Sequence, residues 1–106
     1  MKMSKKVILF TLDYCEHCKK TKQLLDQAGV KYTVVSCENS PESCDELERL
    51  LGIFNYPIAK IEQDSSNYYF YLAKKAKELE PRPVSRRTSV QGALNEEALV
   101  KQIINT

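Results

Sequence analysis

The sequence lacks any apolar run long enough to cross a membrane, and it lacks a dense run of lysine and arginine. Its formal net charge is only +2 over 106 residues. These absences argue against a membrane partner and against nucleic-acid binding. The apolar run Val7 to Phe10 near the start is also too short for the core of a secretory signal. We therefore expect a cytoplasmic protein.

Tryptophan is absent, and there are only three glycines and a single histidine. The rest of the composition is globular, with 42% hydrophobic and 28% charged residues. A chain of this length can bury a core without metal or disulfide staples. We expect one domain over residues 1–106, acting as a monomer, with an atypical segment at about residues 64–88.

The hydrophobic pattern predicts alternating strands and helices. Strands are predicted at residues 6–12, 31–36 and 56–61, and helices from the first cysteine pair to Gly29, from Ser40 and Pro41 to Gly52, and after Asn95. Strand, helix and strand in succession indicate a right-handed crossover onto a parallel neighbour. The last strand is left open between residues 67–72 and 84–91, since both segments have strand character.

Cys15 and Cys18 lie where the first strand gives way to the first helix. A sulfur at a helix start faces free backbone N–H groups and the positive end of the helix dipole, which favours a thiolate. Cys18 follows one turn later, near enough to displace a mixed disulfide formed on Cys15. The spacing therefore predicts dithiol exchange through a redox-active Cys15–Cys18 disulfide.

A zinc site is the alternative, because two cysteines at this spacing also form the usual metal pair. Cys37 and Cys44 could complete four thiolates, or could form a second disulfide. Their separation matches zinc sites poorly, and Cys44 falls on the apolar face of its helix. We therefore expect no metal and favour core or spare thiols over a bridge.

His17 and Glu16, between the two cysteines, are candidate modulators. The imidazole could stabilise a Cys15 thiolate, and Glu16 would oppose it. The alternative is that both side chains simply face solvent.

The opening of the chain resembles a glutaredoxin. The resemblance is carried by Tyr14-Cys15-Glu16-His17-Cys18-Lys19-Lys20, and by Gly29-Val30-Lys31-Tyr32 leading into a strand. Gly52-Ile53-Phe54-Asn55-Tyr56-Pro57 is similar to the thioredoxin approach to its cis-proline, and Gly92-Ala93-Leu94 is also thioredoxin-like. The motif differs from the usual centres in having no proline between its cysteines and no preceding tryptophan. No Gly-Gly pair precedes the last helix.

The resemblance implies an α/β thioredoxin-like fold, with a four-stranded mixed sheet built as βαβ then ββα and helices on both faces. It implies that Cys15 is the nucleophile, Cys18 the resolving thiol and Pro57 a cis-proline facing them. Our candidates for substrate binding are Tyr14, Tyr56, Pro57 and Gly92. Apart from the resemblance, the basic stretch with Arg82, Arg86 and Arg87 could receive glutathione carboxylates or an acidic partner, although a solvated loop is the simpler interpretation.

The function expected is reduction of protein or glutathione mixed disulfides, in electron transport and cell redox homeostasis. No cofactor is expected to be bound, and glutathione would be the co-substrate. One alternative is a thioredoxin-like electron carrier reduced by a flavoprotein reductase. A zinc-binding module and a non-catalytic thioredoxin-fold adaptor are the others.

Overall fold

The structure is a computed structural model that describes residues 5–106. Its elements are β1 (Lys5–Thr11), α1 (Glu16–Gln27), β2 (Thr33–Ser36), α2 (Pro41–Leu51), β3 (Ile58–Gln63), β4 (Ser66–Leu72), a 3-10 helix (Ala76–Leu79), β5 (Arg82–Ser85), β6 (Thr88–Ala93) and α3 (Glu96–Asn105). Within this range no helix is long and apolar enough to cross a membrane.

The strands form one sheet in the order β2-β1-β3-β4-β6-β5. β1 is parallel to β2 and antiparallel to β3, and β4 is antiparallel to β3. The β3–β4 hairpin turns at Asp64 and Ser65, which have φ values of 52° and 67°, the left-handed pair that suits a two-residue hairpin. The first four strands in this order, with the βαβ and ββα connections, are the predicted thioredoxin-like fold.

The predicted count of four strands is wrong, because the sheet formed by residues 5–106 has six. Both candidate segments for the last strand are strands. Residues 66–72 form β4, the antiparallel neighbour of β3, while 82–85 and 88–93 form an additional hairpin before α3. β6 then pairs with β4 in parallel. The sequence pattern detected each strand, but strand propensity does not say which strands are neighbours.

The helices lie on both faces of the sheet, as predicted. The alternation of side chains along β1 sends Phe10 to one face and Leu9 to the other. On the first face the α2 residues Cys44, Leu47 and Leu51 pack against the strands. On the second face Leu25 of α1 packs with Leu99 and Ile103 of α3.

The helix ends position the loops that carry the site. Gly52, with φ 70°, closes α2 in the left-handed conformation that glycine adopts most easily. The chain can therefore turn sharply toward residues 53–57. At the start of α3, Asn95 caps the helix by accepting the backbone N–H of Ala98 at 2.9 Å.

Candidate active site

Cys15 is the residue that caps the start of α1. Its backbone is extended (φ −95°, ψ 112°), and its Sγ accepts the backbone N–H of Cys18 at 3.2 Å. Tyr14 before it has φ 60°, a left-handed turn that ends the loop from β1. The sulfur therefore sits at the positive end of the helix, as predicted, and remains half-buried rather than enclosed.

Cys18 is in the opposite environment. Its side chain is only 1% exposed, and burial, followed by the hydrogen bond with Cys15, raises its pKa from 9.0 to about 12. Both residues are free thiols in this structure. Near neutral pH the pair thus combines an accessible sulfur at a helix start with a buried, protonated one.

The Tyr56–Pro57 bond is cis, which confirms the prediction made from the resemblance. The Cys15 thiol donates to the backbone carbonyl of Tyr56 at 3.7 Å, so the residue before the proline faces the pair. The Tyr56 phenol instead turns into the core and donates to Glu48 at 2.7 Å. Burial and Glu48 raise the pKa of Tyr56. The carbonyl of Tyr56, rather than its ring, is the part presented to Cys15.

The imidazole of His17 is hydrogen-bonded to a carboxylate of α3. Its Nδ1 pairs with Oε2 of Glu96 at 2.5 Å, and Glu96 is only 8% exposed. This hydrogen bond is the largest cause that lowers the pKa of Glu96, and Lys20, 3.9 Å away, adds to it. Glu16 lies at the surface, 3.8 Å from Lys19. Neither His17 nor Glu16 is hydrogen-bonded to Cys15.

Glu96, which pairs with His17 and lines a groove of the structure, is a residue that the sequence analysis did not single out. It is the first residue of α3, directly after the capping residue Asn95. An acid in this position is ordinarily explained by the helix dipole, and its partner lies 79 residues away in the chain. No local pattern would have identified the contact.

A groove runs beside the pair, between the start of α1, the residues before Pro57 and the start of α3. Its walls include His17, Asn55, Tyr56, Lys74, Leu94 and Asn95. Three exposed large apolar side chains lie in the segments before Cys15, Pro57 and α3, and of these Leu94 also lines the groove. They are Tyr14 at 95%, Phe54 at 71% and Leu94 at 72% exposure.

The comparisons with known proteins agree with this geometry. The family model for glutaredoxin matches residues 7–65, more than half of the chain, including the cysteine pair and Pro57. The chain belongs to the glutaredoxin family. Glutaredoxins are thiol–disulfide oxidoreductases.

Two curated glutaredoxins are similar to part of the chain. The protein from Pseudomonas aeruginosa is 35% identical over 51 residues, which are 48% of this chain and 61% of that protein. The protein from Ricinus communis is 38% identical over 42 residues, 40% of this chain and 41% of that protein. The chain thus spans less than two thirds of the length of the curated glutaredoxins it matches.

Two solved structures are also similar. The glutaredoxin-like NrdH-redoxin from Escherichia coli, described as having a thioredoxin-like activity profile, has a TM-score of 0.48 and 22% identity, over 51% of this chain and 70% of that one. A glutaredoxin from Archaeoglobus fulgidus has a TM-score of 0.46 and 21% identity, over 58% of this chain and 71% of that one.

Outside the glutaredoxin motif, Cys37 and Cys44 form a disulfide with a Cα–Cα distance of 5.6 Å. The expectation of separate core or spare thiols is therefore wrong. Both residues are buried, as core thiols would be, at 8% and 3% exposure. The turn after β2 carries Cys37 back over the start of α2, which holds Cys44. Among residues 5–106 no group of three or more metal-ligating side chains comes together.

Gly92 lies in β6, opposite Tyr71 of β4. A Cβ on Gly92 would lie 2.6 Å from the Cβ of Ala73 and 2.7 Å from the carbonyl oxygen of Glu78. This close packing explains the glycine without a substrate. Its assignment to substrate binding in this glutaredoxin stays a prediction.

The basic stretch is part of the additional hairpin. Arg82, in β5, donates to the carbonyl of Leu51 at 2.9 Å and so caps the end of α2. Arg86 and Arg87 lie in the exposed turn between β5 and β6, where Arg87 has φ 62°. Arg82 therefore caps a helix, and the other two arginines form a turn. None of the three lines the groove beside the cysteines.

Proposed function

We propose that the chain is a thiol–disulfide oxidoreductase in which Cys15 is the nucleophile and Cys18 the resolving thiol. The observation that carries this proposal is the contrast between the two sulfurs. Cys15 caps a helix and is accessible, whereas Cys18 is enclosed and its raised pKa keeps it protonated. The thiolate is the species that attacks a disulfide, so Cys15 reacts first.

The exchange takes two displacements. The Cys15 thiolate attacks one sulfur of a substrate disulfide, forms a mixed disulfide and releases the other substrate sulfur as a thiolate, which takes up a proton. Cys18 then loses its proton and attacks Sγ of Cys15. This step releases the second substrate thiol and leaves a Cys15–Cys18 disulfide, with two electrons passed to the substrate.

The second displacement is favoured by the first. In the free protein, burial is the largest cause that raises the pKa of Cys18, and the hydrogen bond and the charge interaction with Cys15 raise it further. When Cys15 is bound in a mixed disulfide, its sulfur carries no negative charge and the charge interaction ends. The Cys18 thiolate then forms more readily when it is needed.

The Tyr56 carbonyl supports substrate binding. An extended disulfide substrate can form strand-like hydrogen bonds with the backbone next to the cis-proline. Proline has no N–H of its own to compete at that edge. Tyr14, directly before Cys15 and 95% exposed, would also contact the substrate.

Glutathione mixed disulfides are our first candidate for the substrate, with two glutathione molecules restoring the Cys15–Cys18 thiols. Glutathione carries two carboxylates, and Lys74 places a cation on the groove wall. We expect Lys74→Gln to raise the KM for a glutathione mixed disulfide about twofold to fivefold, the effect of one exposed charge contact. Lys75→Gln is the matched control, because Lys75 is exposed and does not line the groove.

Protein disulfides are the second candidate, with a flavoprotein reductase as electron donor. The observation that favours them is the exposure of three large apolar side chains, Tyr14, Phe54 and Leu94, in the segments before Cys15, Pro57 and α3. Exposed apolar surface is a common feature of protein-binding sites.

One pair of assays tests the proposal and separates the two candidates. Reduction of a mixed glutathione disulfide by glutathione is compared with reduction of insulin disulfides by thioredoxin reductase. Cys15→Ser should abolish both activities, whereas Cys18→Ser should retain the glutathione activity and trap mixed disulfides with proteins. Full activity of Cys15→Ser in either assay contradicts the proposal.

A further inference from the structure

We propose that the Cys37–Cys44 disulfide is a second redox centre, and that its reduction by a dithiol reductant lowers the reactivity of Cys15. The inference rests on the proposed function of Cys15. It concerns two sulfurs that the exchange between Cys15 and Cys18 does not use.

The Cys37 side of the disulfide supports the loop that presents Cys15. The carboxylate of Glu38, the next residue, accepts the backbone N–H of Asp13 with both oxygens at 3.1 Å. Asp13 lies two residues before Cys15. The backbone N–H of Cys37 itself donates to the carbonyl of Thr11 at 2.9 Å, at the end of β1. The turn that carries Cys37 therefore holds one wall of the site.

The Cys44 side supports the opposite wall. Glu48, one helical turn beyond Cys44 in α2, accepts the hydroxyl of Tyr56 at 2.7 Å. The carbonyl of the same Tyr56 accepts the thiol of Cys15 at 3.7 Å. Tyr56 therefore connects α2 to Cys15, and a shift of α2 would move the carbonyl that faces the Cys15 thiol.

The disulfide is the covalent link between these two supports. When it is closed, the turn at residues 37–40 is fixed to the start of α2, and both walls are held relative to each other. When it is open, the turn can move away from α2, and Glu38 can move from Asp13. Because displacements of about 1 Å at a reacting group reduce rates strongly, the open form should present Cys15 less well.

The switching reaction is itself a thiol–disulfide exchange. The thiolate of a small dithiol attacks Sγ of Cys37, which is 8% exposed against 3% for Cys44. Cys44 leaves as a thiolate near the start of α2, where the helix dipole favours negative charge. The second thiol of the reductant then closes its own disulfide and releases Cys37. Two electrons and two protons pass to the pair, and a disulfide oxidant reverses the reaction.

The test measures the reactivity of Cys15 in a Cys18→Ser background, so that no Cys15–Cys18 disulfide can form. The protein is equilibrated with mixtures of reduced and oxidised dithiothreitol. Mass spectrometry of peptides reports the state of Cys37 and Cys44, and the rate at which iodoacetamide alkylates Cys15. We expect Cys15 to react about threefold to tenfold more slowly when the second pair is reduced.

Variants distinguish an effect of the Cys37–Cys44 disulfide on Cys15 from a general loss of structure. In the Cys18→Ser background, the added substitutions Cys37→Ala and Cys44→Ala should give slow alkylation of Cys15 at every ratio of reduced to oxidised dithiothreitol. The circular dichroism spectrum should be unchanged. Glu38→Ala should slow Cys15 in the oxidised form. Glu42→Ala is the matched control, because Glu42 is an exposed acid of the adjacent helix turn, and should leave the rate unchanged.

Two results overturn the inference. One is an equal Cys15 rate in both states of the second pair. The other is a pair that stays in one state across all mixtures while the fold is intact. The proposed function is judged separately by turnover of a glutathione mixed disulfide. Turnover without switching refutes only the inference, whereas switching without turnover supports the inference and contradicts the proposed function.

Discussion

The two cysteines of the motif should differ strongly in ionisation. The pKa of Cys18 is raised from 9.0 to about 12, with burial as the largest cause. A rise of this size corresponds to about 4 kcal/mol against the thiolate, or about 1,000-fold less thiolate than an unperturbed cysteine has at neutral pH. Because folding raises this pKa, the associated stability is present below pH 9 and is lost as the pH rises toward 12.

Cys15→Ser isolates Cys18 for measurement, since Cys37 and Cys44 are joined in a disulfide. The substitution removes the contributions of Cys15, but burial remains. We therefore expect iodoacetamide to alkylate Cys18 at least about 100-fold more slowly than an unstructured cysteine peptide between about pH 7 and 9. The rate is followed by mass spectrometry of the peptide that contains residue 18.

The same variant unfolded in guanidinium chloride is the control, because its Cys18 should react like the peptide. If Cys18 of the folded variant also reacts at the peptide's rate, with a midpoint near the ordinary value of 9.0, the reasoning is refuted. The distinction between nucleophile and resolving thiol would then need another basis.

Three further predictions concern stability. Gly92→Ala should lower the free energy of unfolding by about 2 kcal/mol in urea titrations, because the new Cβ would lie 2.6 Å from the Cβ of Ala73. An unchanged urea midpoint would contradict the close packing around Gly92. Replacing Cys37 and Cys44 by alanine should lower the same quantity by about 2 kcal/mol relative to the oxidised protein, and reduction of the unaltered protein should give a similar loss. Glu96→Gln should cost about 1 kcal/mol at neutral pH. The pKa of Glu96 is lowered from 4.5, chiefly by its hydrogen bond with His17, so this difference should shrink as the pH falls below 4.5, and a difference that does not change on acidification would rule out the charged carboxylate as its cause.

The features that the sequence predicted correctly are those with local causes. The position of Cys15 at a helix start follows from the change of hydrophobic period between β1 and α1. The cis bond before Pro57 was predicted from a short motif. The ends of α2 and α3 follow from Pro41, Gly52 and Asn95, which act within a single turn.

The features that it did not predict depend on residues distant in the chain or on the direction of a turn. The contact of His17 with Glu96 joins the starts of two helices that only the tertiary fold brings together. The pairing of Cys37 with Cys44 depends on the path of residues 37–40, which spacing does not fix. The additional hairpin of β5 and β6 could not be distinguished from β4 as the last strand of the predicted fold, because both segments have strand-forming sequences.

The additional hairpin also changes which strand ends the sheet. Without it, β4 would be an edge strand, and its run Tyr68–Tyr71 would offer unpaired backbone groups to other molecules. β6 instead covers β4 and β5 becomes the edge, a strand that contains Pro83 and has a register shift between Pro83 and Ser85. Proline cannot donate to a neighbouring strand, and an irregular edge is a poor template for one. The additional hairpin therefore leaves the aromatic strand β4 paired on both sides and places an irregular, proline-containing strand at the edge.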